Sequence, residues 1–510
     1  MRAARINKLV AVLMALALTA ATLAACRSEG QPPTTAPPPN DPTKPDVVLI
    51  GSEIEGVYLA RAARDEGLNV VILDPREKPG GQLIEGEMLY LDEPFADGGK
   101  SLLQGKVKQL FDAYKKGDIR KKDEFKRYYD SLLDGIAVES GIQITNVSFS
   151  QDEKTSKRSI DSITYLTKDR QSKTIRSRYW VENTDFAALT SRLGLTRIPG
   201  IETVFDAPGV AKDYMASSIM MKFKNIDWAK FQKEVNKLSH KEIEEKYGAE
   251  TNVTDMFTWG FGNVGASYKS TRKELFLRGL NTVNQGNGEV LINALLIYNV
   301  DPANEASVRT ALEWGRQETE RILPHLRQWL PGWENAELNG FPDYLYVRDY
   351  DRYETEYVLQ ASDLMSGRMF WDDVSVAGYP IDLQGTLTHT WGTRVGDPDK
   401  YGMPLRAFLP KGYANVLTAG KNIGATAVAY GSARIQPQTA LAGEVIGHMM
   451  GRLGRDRLLS AVTEPEMKKL QDYVQETAGI KLRGGEGKNK IPKLTEEQKQ
   501  QLNMGKFELK

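Results

Sequence analysis

The pattern of apolar and polar positions predicts a strand, a helix and a second strand early in the chain. Val47 to Ile50 form a short apolar run, which is typical of a strand buried on both faces. A turn at Gly51 follows, and small and apolar residues then recur at helical spacing until Gly67. Val70 to Leu73 form the next apolar run, which ends at Asp74. This order of elements predicts a βαβ unit.

The turn of this unit has most features of a dinucleotide-binding site. Gly51-Ser52-Glu53-Ile54-Glu55-Gly56 follows the G-x-G-x-x-G pattern, except that Glu53 replaces the middle glycine. Asp74 stands about 20 residues further on, where such units bind a ribose hydroxyl. The positive end of the helix would meet the pyrophosphate, which tolerates Glu53 only if its side chain turns outward. The alternative is a βαβ unit that keeps the fold and has lost the nucleotide.

A second glycine-rich segment lies far along the chain, from Asn415 to Gly447. A short apolar strand leads to Gly420 and a loop of small residues, and Pro437 then opens a helix. This helix has glycines four residues apart, at Gly443, Gly447 and Gly451. Such a flat stripe lets a helix lie close to a sheet or a cofactor, and core packing without a ligand is the alternative.

With these segments in view, the chain resembles the bacterial FAD-dependent oxidoreductases of the glutathione-reductase-like superfamily, from about Asp46 to Leu482. The resemblance rests on the βαβ unit and on two further motifs, namely Pro79-Gly80-Gly81-Gln82 and Tyr401-Gly402-Met403-Pro404-Leu405-Arg406 followed by Ala419-Gly420-Lys421-Asn422. The chain departs from the family at Glu53, at Lys421, where arginine is usual, and at Val181-Glu182-Asn183-Thr184-Asp185, where a glycine near the flavin is missing.

The resemblance implies an α/β fold in which a Rossmann-like FAD-binding domain, a discontinuous ββα sandwich, carries an inserted mixed α+β substrate domain. The FAD-binding domain comprises residues 46–200 and 390–455, and the substrate domain residues 201–389. Within the latter, Ser217 to Phe223 and Glu289 to Tyr298 are predicted strands, and Glu305 to Leu330 a helix bent by Pro324. Residues 456–482 hold a C-terminal helix that packs on the body, and residues 483–510 are predicted to be a mobile tail.

The resemblance also implies FAD as the cofactor and indicates which residues contact it. The cofactor-binding candidates are Gly51, Ser52, Glu53, Gly56, Asp74, Pro75, Gly81, Gln82, Val147, Gly420, Lys421, Asn422, Gln438 and Thr439. Arg434 is the candidate for a charged group near the flavin or the substrate, with a structural salt bridge as the alternative. His389 is the candidate general acid or base, with an ordinary surface or core histidine as the alternative. Tyr379 and Arg348 are further candidates of the same kind.

The first 26 residues resemble a bacterial lipoprotein signal. Basic Arg2, Arg5 and Lys8 precede an apolar stretch that is too short to span a bilayer, and Leu23-Ala24-Ala25-Cys26 follows. Cys26 is the only cysteine and is predicted to be the lipid acceptor. Residues 27–45 are rich in proline and threonine and are predicted to be an extended tether.

Composition excludes several other classes of partner. Lysine plus arginine and aspartate plus glutamate both number 67, so a net charge of zero gives no electrostatic basis for binding nucleic acid. Four scattered histidines and one cysteine predict no metal site. The acidic pairs Asp349 with Asp351 and Asp372 with Asp373 are generic and only weakly suggest a hydrolase.

The sequence therefore predicts a lipid-anchored FAD-dependent oxidoreductase on the extracytoplasmic face of a bacterial cell membrane, with no other membrane association. It would transfer hydride between the flavin and a small organic substrate, with a quinone, a redox protein or oxygen as electron partner. Arg2 and Arg5 are not paired, so the signal is unlike the twin-arginine type and FAD would be acquired outside the cytoplasm. The alternative is a non-catalytic surface binding or scaffold lipoprotein that retains the flavoprotein fold.

Overall fold

A computed structural model describes residues 39–205, 209–210, 212–455 and 457–507. The predicted signal segment, Cys26 and most of the tether lie outside the described residues. Among the described helices, none is both long and apolar enough to cross a bilayer.

Strands and helices are numbered here in chain order. The strands in the described residues are β1 Val47–Ile50, β2 Val70–Asp74, β3 Phe95–Ala96, β4 Lys100–Ser101, β5 Ala137–Ser140, β6 Gln143–Gln151, β7 Arg158–Leu166, β8 Ser172–Ile175, β9 Tyr179–Glu182, β10 Ser217–Lys224, β11 Asn252–Val253, β12 Phe257–Trp259, β13 Leu275–Gly286, β14 Glu289–Ile297, β15 Glu337–Leu338, β16 Asp373–Ala377, β17 Ile381–Leu383, β18 Thr393–Gly396, β19 Tyr401–Pro404 and β20 Val416–Thr418. The α-helices in the same residues are α1 Ile54–Asp65, α2 Gly81–Ile84, α3 Gly105–Lys116, α4 Lys122–Leu132, α5 Trp228–Asn236, α6 His240–Tyr247, α7 Gly262–Ser267, α8 Glu305–Trp329, α9 Ala361–Met365, α10 Ala427–Ala433, α11 Gln436–Leu453, α12 Glu464–Ala478 and α13 Glu496–Asn503.

A parallel five-stranded sheet of order β20-β9-β1-β2-β5 forms the centre of the predicted FAD-binding domain, here called the cofactor half. Val47 of β1 lies opposite Val70 of β2 and Tyr179 of β9, and all neighbouring strands run parallel. β1, β2, β9 and β20 are buried throughout, which explains their nearly continuous apolar sequence. Because the strands are parallel, the segments that follow Ile50, Asp74, Glu182 and Thr418 meet at one edge of the sheet.

The central sheet is covered by helices on one face and by a small antiparallel sheet on the other. Val47 and Leu49 point into a core shared with α1 and α11, while Val48 and Ile50 face the three-stranded sheet β6-β7-β8. These layers are the predicted ββα sandwich, and the predicted α/β fold class is confirmed.

The predicted substrate domain, here called the substrate half, is built on a six-stranded antiparallel sheet of order β11-β12-β13-β14-β10-β15. β10 and β14 match the two strands predicted there. Helix α8 contains Pro324, and its N-cap is Asn304, whose side chain accepts hydrogen bonds from two backbone N–H groups of the first turn. It lies close to the sheet at Gly315, where a Cβ atom would be 2.7 Å from Ile219.

The glycine stripe of α11 packs on α1 rather than on a sheet or a cofactor. A Cβ atom at Gly443 would lie 2.3 Å from the carbonyl oxygen of Glu55, and one at Gly447 would lie 2.4 Å from that of Leu59. The glycines therefore bring two helix backbones into contact, which is the core-packing alternative considered for this segment.

Both ends of the described chain are more tightly held than the sequence suggests. The side chain of Asn40, within the predicted tether, exchanges hydrogen bonds with the backbone of Val70 at 2.8 and 2.9 Å. Near the other end, Ile491 is buried, and α13 buries Leu502, within the stretch predicted to be a mobile tail. These two isolated apolar residues sit in a polar sequence, so composition alone did not reveal the packing. The predicted C-terminal helix is α12, with its capping box at Thr463.

Candidate functional site

The turn between β1 and α1 has the backbone geometry of a dinucleotide-binding loop. Gly51 has φ of +97°, and its N–H donates to the carbonyl oxygen of Leu73 at 2.8 Å. A Cβ atom at Gly51 would lie 2.5 Å from the carbonyl oxygen of Asn183, and one at Gly56 would lie 2.1 Å from its side chain. Only glycine fits at these two positions, so the first and last glycines of the motif are explained.

Glu53, at the place of the middle glycine, turns inward. Its carboxylate accepts a hydrogen bond of 3.0 Å from the N–H of Gln82, and the residue is 7% exposed. A Cβ atom at Gly81 would lie 2.3 Å from this carboxylate, so the glycine loop that starts α2 closes directly over Glu53. The structure thus differs from the outward orientation that a bound nucleotide would require.

Asn183 ties the same turn to the end of β9. Its side-chain oxygen accepts from the N–H of Gly56 at 3.1 Å, and its amide nitrogen donates to the carbonyl oxygen of Glu53 at 2.9 Å. One backbone donor at the start of α1 is therefore already satisfied within the chain.

Asp74 lies where the sequence predicts it, but its carboxylate is already engaged. The hydroxyl of Ser52 and the N–H of Arg76 both donate to it, the latter at 2.8 Å. Ser52 in turn accepts from the N–H of Gly80 at 3.0 Å. The predicted ribose acceptor is thus buried in a network with the turn itself.

Asp185 is completely buried next to this network. It forms an ion pair with Arg76 and accepts hydrogen bonds from the side chains of Gln82 at 3.1 Å and Tyr344 at 3.2 Å. The Arg76 guanidinium also lies 3.5 Å from the centre of the Tyr344 ring. This residue stands at the position where the family sequence usually has a small residue near the flavin.

Burial and nearby negative charge raise the proton affinity of Glu53 and Glu55. Burial, together with the negative charge of Asp185, raises the pKa of Glu53 to about 8 against the opposing effect of Lys421. Burial also raises the pKa of Glu55, whose Oε2 atom has no hydrogen-bond partner among the described residues. The result is an acidic cluster that Arg76 and Lys421 compensate only in part.

The second glycine-rich segment approaches this cluster from the other side. Gly420 has φ of +62° and lies beside Glu55. Lys421 donates to the carbonyl oxygen of Val347 at 2.9 Å, and Asn422 donates to that of Thr184 at 2.7 Å. These contacts hold the two halves of the site together.

Gln438 and Thr439, predicted near the pyrimidine end of the flavin, direct their polar atoms into the protein. The amide of Gln438 donates to the carbonyl oxygen of Ser432, and its oxygen accepts from the N–H of Gly378 at 3.3 Å. The hydroxyl of Thr439 donates to the carbonyl oxygen of Ile435 at 3.2 Å. Both side chains therefore stabilise the start of α11 in this structure.

A cavity of about 40 Å³ joins the cofactor turn to the substrate half. Residues from the turn and from the substrate side both line it, including Glu53, Lys421, Tyr90, Asp92, Tyr346 and Arg434. Arg434 is buried and donates to the hydroxyl of Tyr346 at 3.1 Å, while its Nε atom has no partner among the described residues. Burial raises the pKa of Asp92, and Tyr379 lies within hydrogen-bonding reach of it. Arg434 and Tyr379 are thus brought to one place.

Arg348 lies deeper, within the substrate half. Its guanidinium donates to the carbonyl oxygen of Ala216 and the hydroxyl of Ser218, both at 2.8 Å, and to the side chain of Asn293 at 3.0 Å. Burial lowers its pKa to about 9. These contacts join β10 to β14 and favour the structural alternative for this residue.

The remaining predicted positions lie apart from the cavity lining. His389 is exposed, and its ring stacks on Phe205 at 4.6 Å. Val147 lies opposite Ile163 in the small antiparallel sheet and packs on the sheet face away from α1. Pro75 is half-buried directly after Asp74. The structure does not place His389 with Arg434, in agreement with its alternative as an ordinary surface histidine.

Three of the four aspartates considered for a hydrolase are paired with arginines. Asp372 binds Arg406 at 2.9 Å, and Asp351 binds Arg197 at 2.7 Å. Asp349 forms a buried ion pair with Arg352. These contacts leave little reason to assign hydrolysis to them.

The backbone of the site fits a dinucleotide, but the side chains do not fit one in this arrangement. Gly51, Gly56 and the ends of the parallel strands provide the cradle. Glu53 and Asp185 fill it with carboxylates, and the adjoining cavity has room for only a few water molecules. A pyrophosphate would meet acidic groups there, and the N–H groups of Gly56 and Gln82 already have acceptors within the chain.

Sequence reasoning missed how Asn183 and Asp185 act in the site, although a signal was present. The glycine missing after β9 is that signal, but it does not connect Asn183 or Asp185 with the turn. Asn183 is 127 positions from Gly56, and such a pairing cannot be derived from local spacing.

Comparison with known proteins places the chain in a family. A family model described as FAD dependent oxidoreductase matches residues 46–473. The chain belongs to this family, and it is by that membership an FAD-dependent oxidoreductase. No curated protein sequence matched the chain.

Several solved structures are similar at low sequence identity. The myxobacterial chondrochloren halogenase CndH is 11% identical over 85% of this chain and 80% of its own, with a TM-score of 0.39. The p-nitrophenol 4-monooxygenase PnpA from Pseudomonas putida DLL-E4 is 11% identical over 91% and 94%, with a TM-score of 0.37. The tetracycline destructase Tet(51) is 10% identical over 86% and 90%, with a TM-score of 0.38.

Proposed function

We propose that this chain transfers hydride between FAD and a small organic substrate on the extracytoplasmic face of a bacterial cell membrane, to which it is anchored by lipid at Cys26. The observation that supports the redox part is the cavity shared by the cofactor turn and the substrate half, because Glu53 of the turn and Arg434 both line it. Flavin supplies the redox chemistry when bound, so the protein must chiefly position the substrate.

Arg434 is the residue proposed to position the substrate. It is buried, its charge is permanent, and its unpaired Nε–H group offers a donor beside the cavity. Tyr346, which also lines the cavity, accepts a hydrogen bond of 3.1 Å from the guanidinium. A polar or negatively charged group of the substrate would satisfy the remaining donor.

The experiment uses the full-length chain in detergent, loaded with FAD and freed of excess cofactor. Small organic acids, alcohols and amines are added without oxygen, and loss of the visible flavin absorption is followed. We expect at least one substrate class to reduce the flavin, and Arg434→Ala to slow the reduction by about 10-fold or more. Arg309→Ala, an exposed arginine on α8, is the matched control and should leave the rate unchanged.

Membrane attachment is proposed from the signal sequence and has its own test. Cys26→Ala should move the protein from the membrane fraction to the soluble fraction and abolish labelling with a fatty-acid analogue. Unchanged fractionation and labelling of this variant would contradict the anchor while leaving the redox proposal intact.

A non-catalytic binding or scaffold role is the second candidate function. The observation in its favour is the cradle filled by Glu53 and Asp185. A chain that binds no flavin under any condition would support it.

A further inference from the structure

Several donors and acceptors around the cofactor turn are satisfied by the chain itself. Asn183 accepts from Gly56, Glu53 accepts from Gln82, and Ser52 both accepts from Gly80 and donates to Asp74. In a dinucleotide site, groups of these kinds face phosphate and ribose. An empty site of this kind would leave buried N–H groups without partners, at a cost in stability. The present side chains remove that cost.

We propose that Glu53, Asn183 and Asp185 form an internal latch that closes the dinucleotide site of the FAD-free protein, and that FAD binds by displacing the side chain of Glu53. The proposal rests on the proposed function, since it concerns the same cofactor site. It assigns to Glu53 the place that the cofactor's pyrophosphate takes when the site opens.

The crowding of acidic groups supports displacement of Glu53 rather than simple addition of the cofactor. Four acidic side chains, those of Glu53, Glu55, Asp74 and Asp185, lie around two cations, Arg76 and Lys421, and burial raises the pKa of the first three. A pyrophosphate would add negative charge to this buried cluster, where charges are poorly screened. Moving the Glu53 side chain out of the turn makes room for the pyrophosphate and frees the N–H of Gln82 as a donor for it.

Glu53 is the part of the latch that can move. Among the described contacts its carboxylate accepts one hydrogen bond, whereas Asp185 has three partners, Arg76, Gln82 and Tyr344. Glu53 also lines the cavity, so its side chain has adjoining space. Asn183 and Asp185 form the fixed wall, and Glu53 is the displaceable element.

The latch also fits a protein that receives its cofactor late. If the chain leaves the cytoplasm before it acquires FAD, the apoprotein must fold with an empty site. The internal carboxylate then stabilises the apoprotein and opposes the cofactor at the same time. Removing Glu53 should therefore have two opposite effects, a less stable apoprotein and tighter FAD binding.

The test is a titration of full-length protein with FAD, followed by quenching of flavin fluorescence, for wild type, Glu53→Gly and Glu53→Gln. We expect Glu53→Gly to bind FAD at least about 10-fold more tightly than wild type. Glu53→Gln should fall between them, because it keeps the bulk of the side chain and removes its acidic group. Glu444→Gln is the matched control: Glu444 is a buried carboxylate that accepts from the N–H of Lys106 at 2.7 Å, away from the turn.

Thermal unfolding of the same FAD-free proteins gives a second readout. Glu53→Gly should melt several degrees below wild type, and FAD should raise its midpoint more than that of wild type. If Glu53→Gly does not fold, Glu53→Gln carries the test, with an expected affinity gain of about 3-fold or more.

The outcomes separate the latch from the proposed function. Wild type that binds FAD as tightly as Glu53→Gly and Glu53→Gln would overturn the latch and leave the oxidoreductase proposal standing. No binding by wild type, Glu53→Gly or the double variant Glu53→Gly with Asp185→Gly would overturn both and favour the scaffold.

Discussion

The two glycine-rich segments of this protein use glycine for different purposes. In the first, Gly51 and Gly56 let the backbone of a turn approach Asn183, and polar side chains fill the space where a ligand would lie. In the second, Gly443 and Gly447 let α11 lie directly on the backbone of α1. Both patterns indicate that another group lies close to the glycine backbone. Whether that group is a cofactor, a helix or a side chain of the same protein depends on the residues that face the glycines.

The largest loss of stability is expected for a substitution at Asp185. Asp185→Asn removes the charge that pairs with the partly buried guanidinium of Arg76 and weakens the hydrogen bonds from Gln82 and Tyr344, and we expect the protein to lose about 3 kcal/mol of stability. Asp343→Asn, which breaks the exposed pair with Lys78, is the control and should cost less than about 1 kcal/mol. Chemical unfolding of the FAD-free chain measures both. Equal effects would contradict the fixed wall of the latch.

The second segment is tested by filling its glycine stripe. Gly447→Ala places a Cβ atom 2.4 Å from the carbonyl oxygen of Leu59, so the two helices must separate, and we expect a loss of about 2 kcal/mol. Gly262→Ala is the control, because that helical glycine has open space in front of it. If both substitutions had the same effect on the unfolding midpoint, the close helix contact would not be the reason for the stripe.

The pH dependence of stability tests whether Glu53 is protonated in the folded protein. Burial and Asp185 raise the pKa of Glu53 from 4.5 to about 8. Between these two pH values Glu53 is protonated in the folded protein and ionised in the unfolded chain. The contribution of Glu53 to stability is therefore present at low pH and is lost as pH rises from about 4.5 through about 8.

Glu53→Gln removes this titration and leaves Glu55, Asp74, Asp185, Arg76 and Lys421 in place. Relative to that variant, wild type should lose stability on the order of 2 kcal/mol between about pH 5 and about pH 9. Urea unfolding of both proteins at the two pH values measures the difference. A difference that does not change with pH would show that Glu53 ionises normally.

The smallest effect is expected at Asn183. Asn183→Ala removes the hydrogen bonds to Gly56 and to the carbonyl oxygen of Glu53, and we expect a loss of about 1 kcal/mol. Asn263→Ala, at an exposed amide that bonds two helix carbonyls, is the control and should cost less. An Asn183→Ala protein as stable as wild type would mean that this side chain does not hold the turn.

The fold could be predicted from sequence where the signal is local. The apolar runs at Val47 and Val70, the turn at Gly51 and the acid at Asp74 all follow one another along a short stretch, and the structure has them in the expected order. The helix after Pro437 was likewise visible from its first residues and its glycines.

The site was only partly predictable, because its decisive contacts join distant segments. The sequence marked Glu53 as unusual, but the direction of its side chain depends on Gln82, which comes from a different loop. The role of Asp185 can be recognised only from its contacts with Arg76 and Tyr344, which come from distant segments. The packing of Leu502 was missed for the same reason, since a single apolar residue in a polar stretch has no periodic signal.

The most direct measurement is residue-resolved hydrogen exchange of the Gln82 amide in the FAD-free, full-length protein, compared between wild type and Glu53→Gln. In the closed latch this N–H donates to Glu53 at 3.0 Å, so above the Glu53 pKa of about 8 we expect clear protection in wild type and faster exchange in the variant, because a neutral amide is a weaker acceptor than a carboxylate. Equal and rapid exchange in both proteins would show that Glu53 does not close the site, and the account of an internally latched cofactor site would fail.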